Sequence, residues 1–284
     1  MTNIVATFSI AAFDPETKSW GVAVQSKFLA VGAVVPWARA GVGAVATQAM
    51  ANYTYGPRGL DLLSNETSAE QTIQTLTSAD DGREHRQIGV VDSNGRAATF
   101  TGSECFDWAG GVTGEHYTAQ GNILVGVETV EAMANAYETD GGDFAGRLLS
   151  ALEAGQAAGG DRRGQQSAAL LVVCESGGYG GDNDRVVDLR VDEHPSPIQE
   201  LIRIRSLHSL YFGETQEVVT VESEVRQEVE ETLLRLGYLE QKASEDEVLF
   251  DALAAYHGTE NFEEREQERG YLDIEVLKFM WDGH

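Results

Sequence analysis

The densest run of residues with chemical potential is Asp161-Arg162-Arg163, followed by Ser167 at the head of an apolar stretch. A carboxylate, two guanidiniums and a hydroxyl so close together can bind an anion or orient a proton. An arginine placed like Arg163 can clamp a carboxylate through two parallel hydrogen bonds. Other motifs dissolve under their own geometric requirements. Gly41-Val-Gly43-Ala-Val-Ala46 matches the G-x-G-x-x-A loop of dinucleotide sites, which must open a sustained helix facing the pyrophosphate. Here a strand-like VATQ run continues and Gly56-Pro57 follows, so no nucleotide site is expected. Gly177–Asp182 looks like one turn of a calcium-binding nonapeptide repeat, and a single copy cannot stack; a turn is expected. His85, His116 and His194 lack metal-ligand spacing, so neither a metal nor another cofactor is expected. There is no G-x-S-x-G nucleophile elbow. Cys105 and Cys174 suit small core positions better than a disulfide framework.

The elements that must position these residues follow from period and punctuation. Ile4–Phe13 and Trp20–Phe28 are apolar runs joined by Asp-Pro-Glu-Thr-Lys-Ser, a hairpin signature. Val31–Trp37 and Val42–Gln48 are two further apolar runs, expected as strands. Pro57 suits the first turn of a helix ending near Leu63, and Ser68 with Gln71 three residues on predicts a capping box opening a helix to about Ser78. Strands are expected at Arg86–Val91 and Ala97–Thr101 around Asn94-Gly95, and at Tyr117–Leu124 after a glycine-rich stretch. Helices are expected over Val127–Tyr137 and Asp143–Gln156, then strands at Ser167–Cys174 and Arg185–Val191 and a helix from about Ser196. Segregated runs of strands and helices predict α+β layers, not a doubly wound sheet.

Composition sets the partners. With 46 Asp+Glu against 20 Lys+Arg the formal charge is −26 and the pI about 4.4, which argues against nucleic acid and against anionic membranes. Only four of the basic residues are lysine (Lys18, Lys27, Lys242, Lys278). Excess carboxylate with scarce lysine predicts a protein of salt-rich cytoplasm, where self-repulsion is screened over about 3 Å at molar salt. Asp14-Pro15 follows the apolar N-terminal stretch too soon for a membrane span, and a cytoplasmic protein is expected. Composition breaks near residue 213: residues 213–284 hold 20 acids and 6 bases, few glycines and no proline. The expected domains are therefore 1–212, rich in strands and turns, and 213–284, helical.

Several blocks occur together in order: Thr7-Phe-Ser-Ile10, Gly21–Gly32, Thr47-Gln-Ala-Met-Ala-Asn52 with Tyr55-Gly-Pro-Arg58, Thr101–Cys105 with Trp108-Ala-Gly110, Gln120–Leu124, and Glu153–Arg163 with Gln166–Ala169. From about residue 4 to 205 they resemble the domain-of-unknown-function-1028 family, assigned to the Ntn-hydrolase superfamily. That resemblance implies a four-layer αββα sandwich of proteasome type. The tail, through Val225–Tyr238, Ala252–Gly258, Glu260–Arg265 and Ile274–Leu277, resembles a small all-α module described as peptidoglycan-binding. Leu233, Leu249, Leu253, Tyr256, Ile274, Leu277 and Phe279 would supply the apolar faces of about three helices. A module with net charge −14 is an odd ligand for an anionic wall polymer, so cell-wall glycan is disfavoured as a partner, and a structural or docking bundle is expected.

Membership of the Ntn superfamily implies hydrolysis of a small amide by an N-terminal Thr, whose own α-amine, with a pKa near 8, acts as general base. The resemblance places Thr7 in that role, with Ser9 two residues along the strand. Five residues, Thr2–Ala6, stand between Met1 and it, so methionine removal alone would expose Thr2. The strand ending Gln25-Ser26-Lys27 resembles the proteasome strand with an Asp-Ser-Arg-like turn. Ser26 is then expected to accept from the amine, and Lys27 or Arg39 to lower its pKa. Gln48, Asn52 and Asn122 are amides suited to an oxyanion or a substrate carbonyl, and Asp161, Arg163 and Ser167 to substrate binding. The alternative is a non-catalytic ligand-binding or scaffold protein keeping the sandwich. An isologous homo-oligomer is the default assembly.

Overall fold

The computed structural model describes residues 7–282. The chain divides into two compact units, Met1–Ile204 and Arg205–His284. In chain order the first unit contains β1 (Thr7–Asp14), β2 (Ser19–Ser26), β3 (Pro36–Arg39), β4 (Gly43–Ala49), α1 (Tyr55–Leu63), α2 (Ala69–Ser78), β5 (Arg86–Asp92), β6 (Ala97–Thr101), β7 (Gly110–Gly114), β8 (Tyr117–Asn122), α3 (Glu128–Thr139), α4 (Phe144–Ala157), β9 (Ser167–Val173) and β10 (Arg185–Val191). Helix α5 (Pro197–Phe212) runs across the division. The strands form a six-stranded sheet, β10-β9-β2-β1-β8-β7, and a four-stranded sheet, β3-β4-β5-β6. All their pairings are antiparallel.

Strand alternation sorts the apolar side chains into three clusters. Phe8, Ile10, Ala119, Leu170 and Val172 leave one face of the six-stranded sheet to meet Val130 and Met133 of α3 and Leu148 and Leu152 of α4. Ala11, Val22, Val24, Ala169 and Leu171 leave its other face and meet Ala44, Ala46 and Val91 of the four-stranded sheet. Val45, Ile88 and Val90, on that sheet's far face, pack on Leu60, Leu63, Ile73 and Leu76 of α1 and α2. Each fully buried Val, Leu or Ile contributes about 1.5–3 kcal/mol. The expected capping box is formed, with Gln71 N donating to Ser68 Oγ at 3.2 Å and Ser68 N to Gln71 Oε1.

Three strand expectations of the first unit are corrected. Val31–Trp37 is not one strand: Val31–Ala33 forms a 3₁₀ turn entered through Ala30 at φ 54°, and β3 begins only at Pro36. The glycine-rich stretch before Tyr117 contains an edge strand, β7, whose glycines hide any apolar alternation. The strand expected to Leu124 stops at Asn122, because Ile123 turns to φ 54°.

The second unit holds β11 (Val218–Thr220), α6 (Ser223–Leu236), α7 (Asp246–Glu260), β12 (Tyr271–Asp273) and α8 (Ile274–Trp281). It is therefore not all-α: β11 and β12 form a short antiparallel ribbon. Its core joins Val229, Leu233, Leu249, Leu253, Tyr256, Phe262, Leu272, Val276 and Leu277. Within it Arg265 Nη1 meets Asp273 Oδ2 at 2.8 Å, with the two side chains 4% and 0% exposed. Arg265 also donates to the Leu210 and Ser209 carbonyls. No helix among the described residues is long and apolar enough to cross a membrane.

Candidate functional site

At the end of the sheets where β1, β5 and β9 begin and β2, β4, β6 and β8 finish, cross-strand pairing aligns Asn122, Thr7, Ser26 and Ser167 in one row over β8-β1-β2-β9. The facing sheet presents Gln48, Gln87 and Thr101 in a second row. Thr7, Ser9, Ser26, Gln48, Gln87 and Gln120 are fully buried, Asn122 nearly so. Thr7 Oγ1 lies 3.1 Å from Ser26 Oγ, its hydroxyl donating to that oxygen. Ser9 donates to Gln48 Oε1 at 2.6 Å, and Gln48 Nε2 donates to Gln87 Oε1 at 2.8 Å and reaches Thr7 O at 3.4 Å. Asn122 Nδ2 also donates to Gln87 Oε1, at 2.9 Å. Gln87 Nε2 in turn donates to Gly121 O, Thr101 Oγ1 and Gly110 O. The result is an amide network joining the two sheets around the head of β1. In such a dry setting each polar group left without a partner costs about 1–3 kcal/mol.

Gln87, Gln120, Thr101 and Thr118 were not anticipated. Gln120 Nε2 donates to Ser9 Oγ at 2.7 Å, while its Oε1 accepts from Thr118 Oγ1. Room for it comes from Gly89 on the opposite sheet, where a Cβ would stand 2.2 Å from Gln120 Oε1. Backbone strain sits next to the network. Ala49 (φ 66°) directly follows Gln48, and Ile123 (φ 54°), a β-branched residue rarely found there, follows Asn122.

The other expected site residues divide. The Asp161 side chain is fully buried and belongs to this end: its Oδ2 accepts from Lys27 N at 3.0 Å and from Arg163 Nη2 at 2.8 Å, and its Oδ1 from Arg163 Nε at 3.1 Å. The carboxylate that Arg163 clamps is thus the chain's own. Ser167 Oγ accepts from Val31 N and donates to Phe28 O, stapling the turn after β2. Lys27 lies beside Ser26, but its ammonium is held on the surface by Gln165 O at 3.0 Å, not turned toward Thr7. Arg39 is misplaced by the sequence expectation: it ends β3, half exposed, and binds Asp61 of α1 and Ser64 just past its C-terminus. Asn52 is also reassigned. Its Oδ1 accepts from Thr54 N and Oγ1 ahead of α1, and its Nδ2 donates to Asp80. The alternative nucleophile Thr2 lies outside the described residues.

Asp80 organises that neighbouring cluster, accepting from Arg86, Asn52, Tyr55 OH and Gly82 N. Burial would raise its carboxyl, but the hydrogen bonds from Arg86, Asn52, Gly82 and Tyr55 outweigh burial and hold it well below the usual carboxylate range. A depressed folded pKa adds stability that is present above the unfolded pKa of about 3.9 and is lost as pH falls below it. Asp80→Asn should therefore lower the first unit's melting temperature clearly at pH 7 and progressively less below about pH 4. An equal loss at both pH values would contradict this assignment.

A cavity of ≈ 670 Å³ opens at the opposite end of β1, lined by Phe13, Asp14, His116, Tyr137, Asp143 and Arg147 among others. Its three aspartates are committed locally: Asp14 to Thr17, Asp140 to Ser150 and Gly142, and Asp143 to the N-terminus of α4. Among the described residues no group of three or more His, Cys, Asp or Glu is placed to hold a metal ion. Burial pushes the Cys105 thiol up to about 11, which leaves it a poor nucleophile.

Residues 7–201 match the family of unknown function DUF1028, and the chain belongs to that family. Residues 211–280 match a second model, described as "Putative peptidoglycan binding domain". The chain is similar to the crystal structure of protein SPO2555 from Silicibacter pomeroyi, itself assigned to DUF1028. The two are 35% identical with a TM-score of 0.67, over 73% of this chain and 91% of that one. A comparison with curated proteins gives no match.

Proposed function

We propose that the first unit is an N-terminal-nucleophile amide hydrolase, held latent until the Ala6–Thr7 bond is cut. The observation that carries this reading is the position of Thr7: on a central strand of the six-stranded sheet, in register with Ser26 and Asn122, with its hydroxyl 3.1 Å from Ser26 Oγ. The helix–sheet–sheet–helix succession of the three apolar clusters supports reading the fold as the αββα sandwich of that superfamily.

Once residue 7 carries a free α-amine, that amine takes the proton from Oγ1, and Oγ1 bonds to the substrate carbonyl carbon. Amide donors such as Gln48 Nε2 are suited to the developing oxyanion. The C–N bond then breaks, the leaving amine takes the proton, and water hydrolyses the resulting ester with the α-amine again as base. The substrate class is a small amide. The test is a β-lactone probe, which opens on a nucleophilic hydroxyl to form an ester and reports activity without a known substrate. A single adduct on Thr7 of protein from its native source supports the assignment; an unlabelled Thr7 with labelling elsewhere removes it.

A second reading is favoured by one observation. Thr7, Ser9, Ser26, Gln48 and Asn122 are buried and hydrogen-bonded to neighbours, as in a polar core that only fastens two sheets. It makes the unit a non-catalytic scaffold and predicts an uncut chain.

The charge of −26 supports adaptation to a salt-rich interior. At molar salt the repulsion is screened within about 3 Å, and below about 0.1 M it reaches beyond about 10 Å. The chain should lose its cooperative melting transition on dialysis to low salt. A melting temperature independent of salt would count against this. For the second unit we propose a structural or partner-docking role, since its 20 acids against 7 bases disfavour an anionic wall polymer.

A further inference from the structure

Among the described residues of the first unit, six large apolar side chains are exposed: Leu29, Tyr53, Phe106, Val125, Val127 and Tyr179. Five of them stand at one end of the two sheets. Leu29 follows β2, Tyr53 follows β4, Phe106 lies between β6 and β7, and Val125 and Val127 follow β8. Those strands all finish where Thr7 lies, so their loops border the candidate site. Tyr179, between β9 and β10, is at the far end. Three residues of chain span at most about 11 Å, which keeps Leu29 within that reach of Ser26 and Val125 within it of Asn122.

The rim is built, with its loops tied to one another. Ile123 N donates to Phe106 O at 3.0 Å and Leu124 N to Trp108 O at 3.0 Å, which fastens the Phe106 loop to the Val125 loop beside Asn122. Val125 N donates to Gly160 O at 3.2 Å. Gly159 makes room for it: a Cβ there would stand 2.9 Å from Val125 Cβ. Charge is sparse on the same loops. Residues 27–30, 50–54, 102–109 and 123–127 include three charged side chains, Lys27, Glu104 and Asp107. Six carboxylates line the cavity at the opposite end. Single exposed apolar residues are ordinary, but several gathered at one place mark a contact surface. In a chain of charge −26 they are gathered around the proposed nucleophile.

We infer that this rim selects the substrate: an amide carrying an uncharged apolar group beside the scissile carbonyl, which Phe106 and Val125 shield from water while Thr7 attacks. The inference rests on the reading of Thr7 as nucleophile.

The test applies β-lactones bearing an α-methyl, α-butyl or α-hexyl group to protein produced in its native host, with the rate of Thr7 labelling read by mass. In each probe Oγ1 bonds to the carbonyl carbon, the ring C–O bond breaks, and the ring oxygen takes the proton, so the chemistry is shared. A methylene brought out of water is worth up to about fourfold, and the second-order rate should rise at least about tenfold from methyl to hexyl. Phe106→Ser and Val125→Ser, at positions 53% and 59% exposed, should each cut that rise several-fold. Tyr179→Ser should leave it whole. A carboxylate ending the hexyl chain should return the rate toward that of the methyl probe. Labelling that is independent of chain length, or a rise that survives both rim substitutions, overturns the inference and leaves Thr7 as nucleophile. A flat series in a dimer that Phe106→Ser dissociates also overturns it, assigning the rim to a second copy of the chain. No label on Thr7 with any of the probes removes both readings.

Discussion

Thr7→Ala is expected to leave residues 1–6 attached and to abolish β-lactone labelling at the head of β1. Any amide turnover should fall by at least about 10³-fold, as happens when a nucleophile that works as part of a unit is removed. The structural cost is small by comparison. The substitution loses the hydrogen bond from Oγ1 to Ser26 Oγ, worth about 0.5–1.5 kcal/mol, and leaves the strand pairing untouched. Thr7→Ser keeps the hydroxyl and should retain cleavage and labelling, which separates loss of chemistry from loss of packing. A Thr7→Ala chain that is cut and labelled like the wild type would show that the bond at Ala6 is severed by something other than Thr7.

Arg265→Ala should have the largest effect on stability, confined to the second unit. Truncation leaves Asp273 as an unpaired charge that is 0% exposed and frees the Leu210 and Ser209 carbonyls. Removing one partner of a buried pair costs about 3–5 kcal/mol, and each kcal/mol shifts the melting of a domain of this size by about 4–8 °C. Calorimetry of the full chain should show the second unit's transition lowered by more than about 10 °C and the first unit's unchanged. Arg265→Lys keeps the charge but not the fork of donors, and should fall between. An unchanged thermogram for Arg265→Ala would mean that this ion pair does not organise the unit.

Much of the architecture was legible because it rests on local signals. Ser68 and Gln71 announced a capping box, Asn94-Gly95 a hairpin, and the apolar period over Asp143–Gln156 a helix. What failed lacks such a signal. The glycines of β7 carry no alternation, and the φ values of Ala30 and Ile123 depend on tertiary packing that no window of sequence contains. The short β11–β12 ribbon pairs residues 218 and 273, a separation beyond any periodicity.

The candidate site was half visible. Thr7, Ser26 and Asn122 converge with Gln48 as expected, since register follows from strand order. Arg39 and Asn52 do not, because both flank expected strands and only the layers decide that they turn to α1 and Asp80. Gln87 and Gln120 were missed although a cue existed. Thr118, Gln120 and Asn122 alternate along β8, as Thr7 and Ser9 do along β1, and a polar residue at every second position of a buried strand marks an inward polar face. Their partners across the two sheets could be found only in three dimensions.

Catalysis at this site requires that residue 7 come to carry a free amine beside its own hydroxyl. Intact-mass measurement of the protein purified from its native source decides this most directly. A chain beginning at Thr7 is the predicted result. A chain that keeps residues 1–6, in a preparation that also resists the β-lactone probe, would contradict it and leave the buried amide network as a fastening between two sheets.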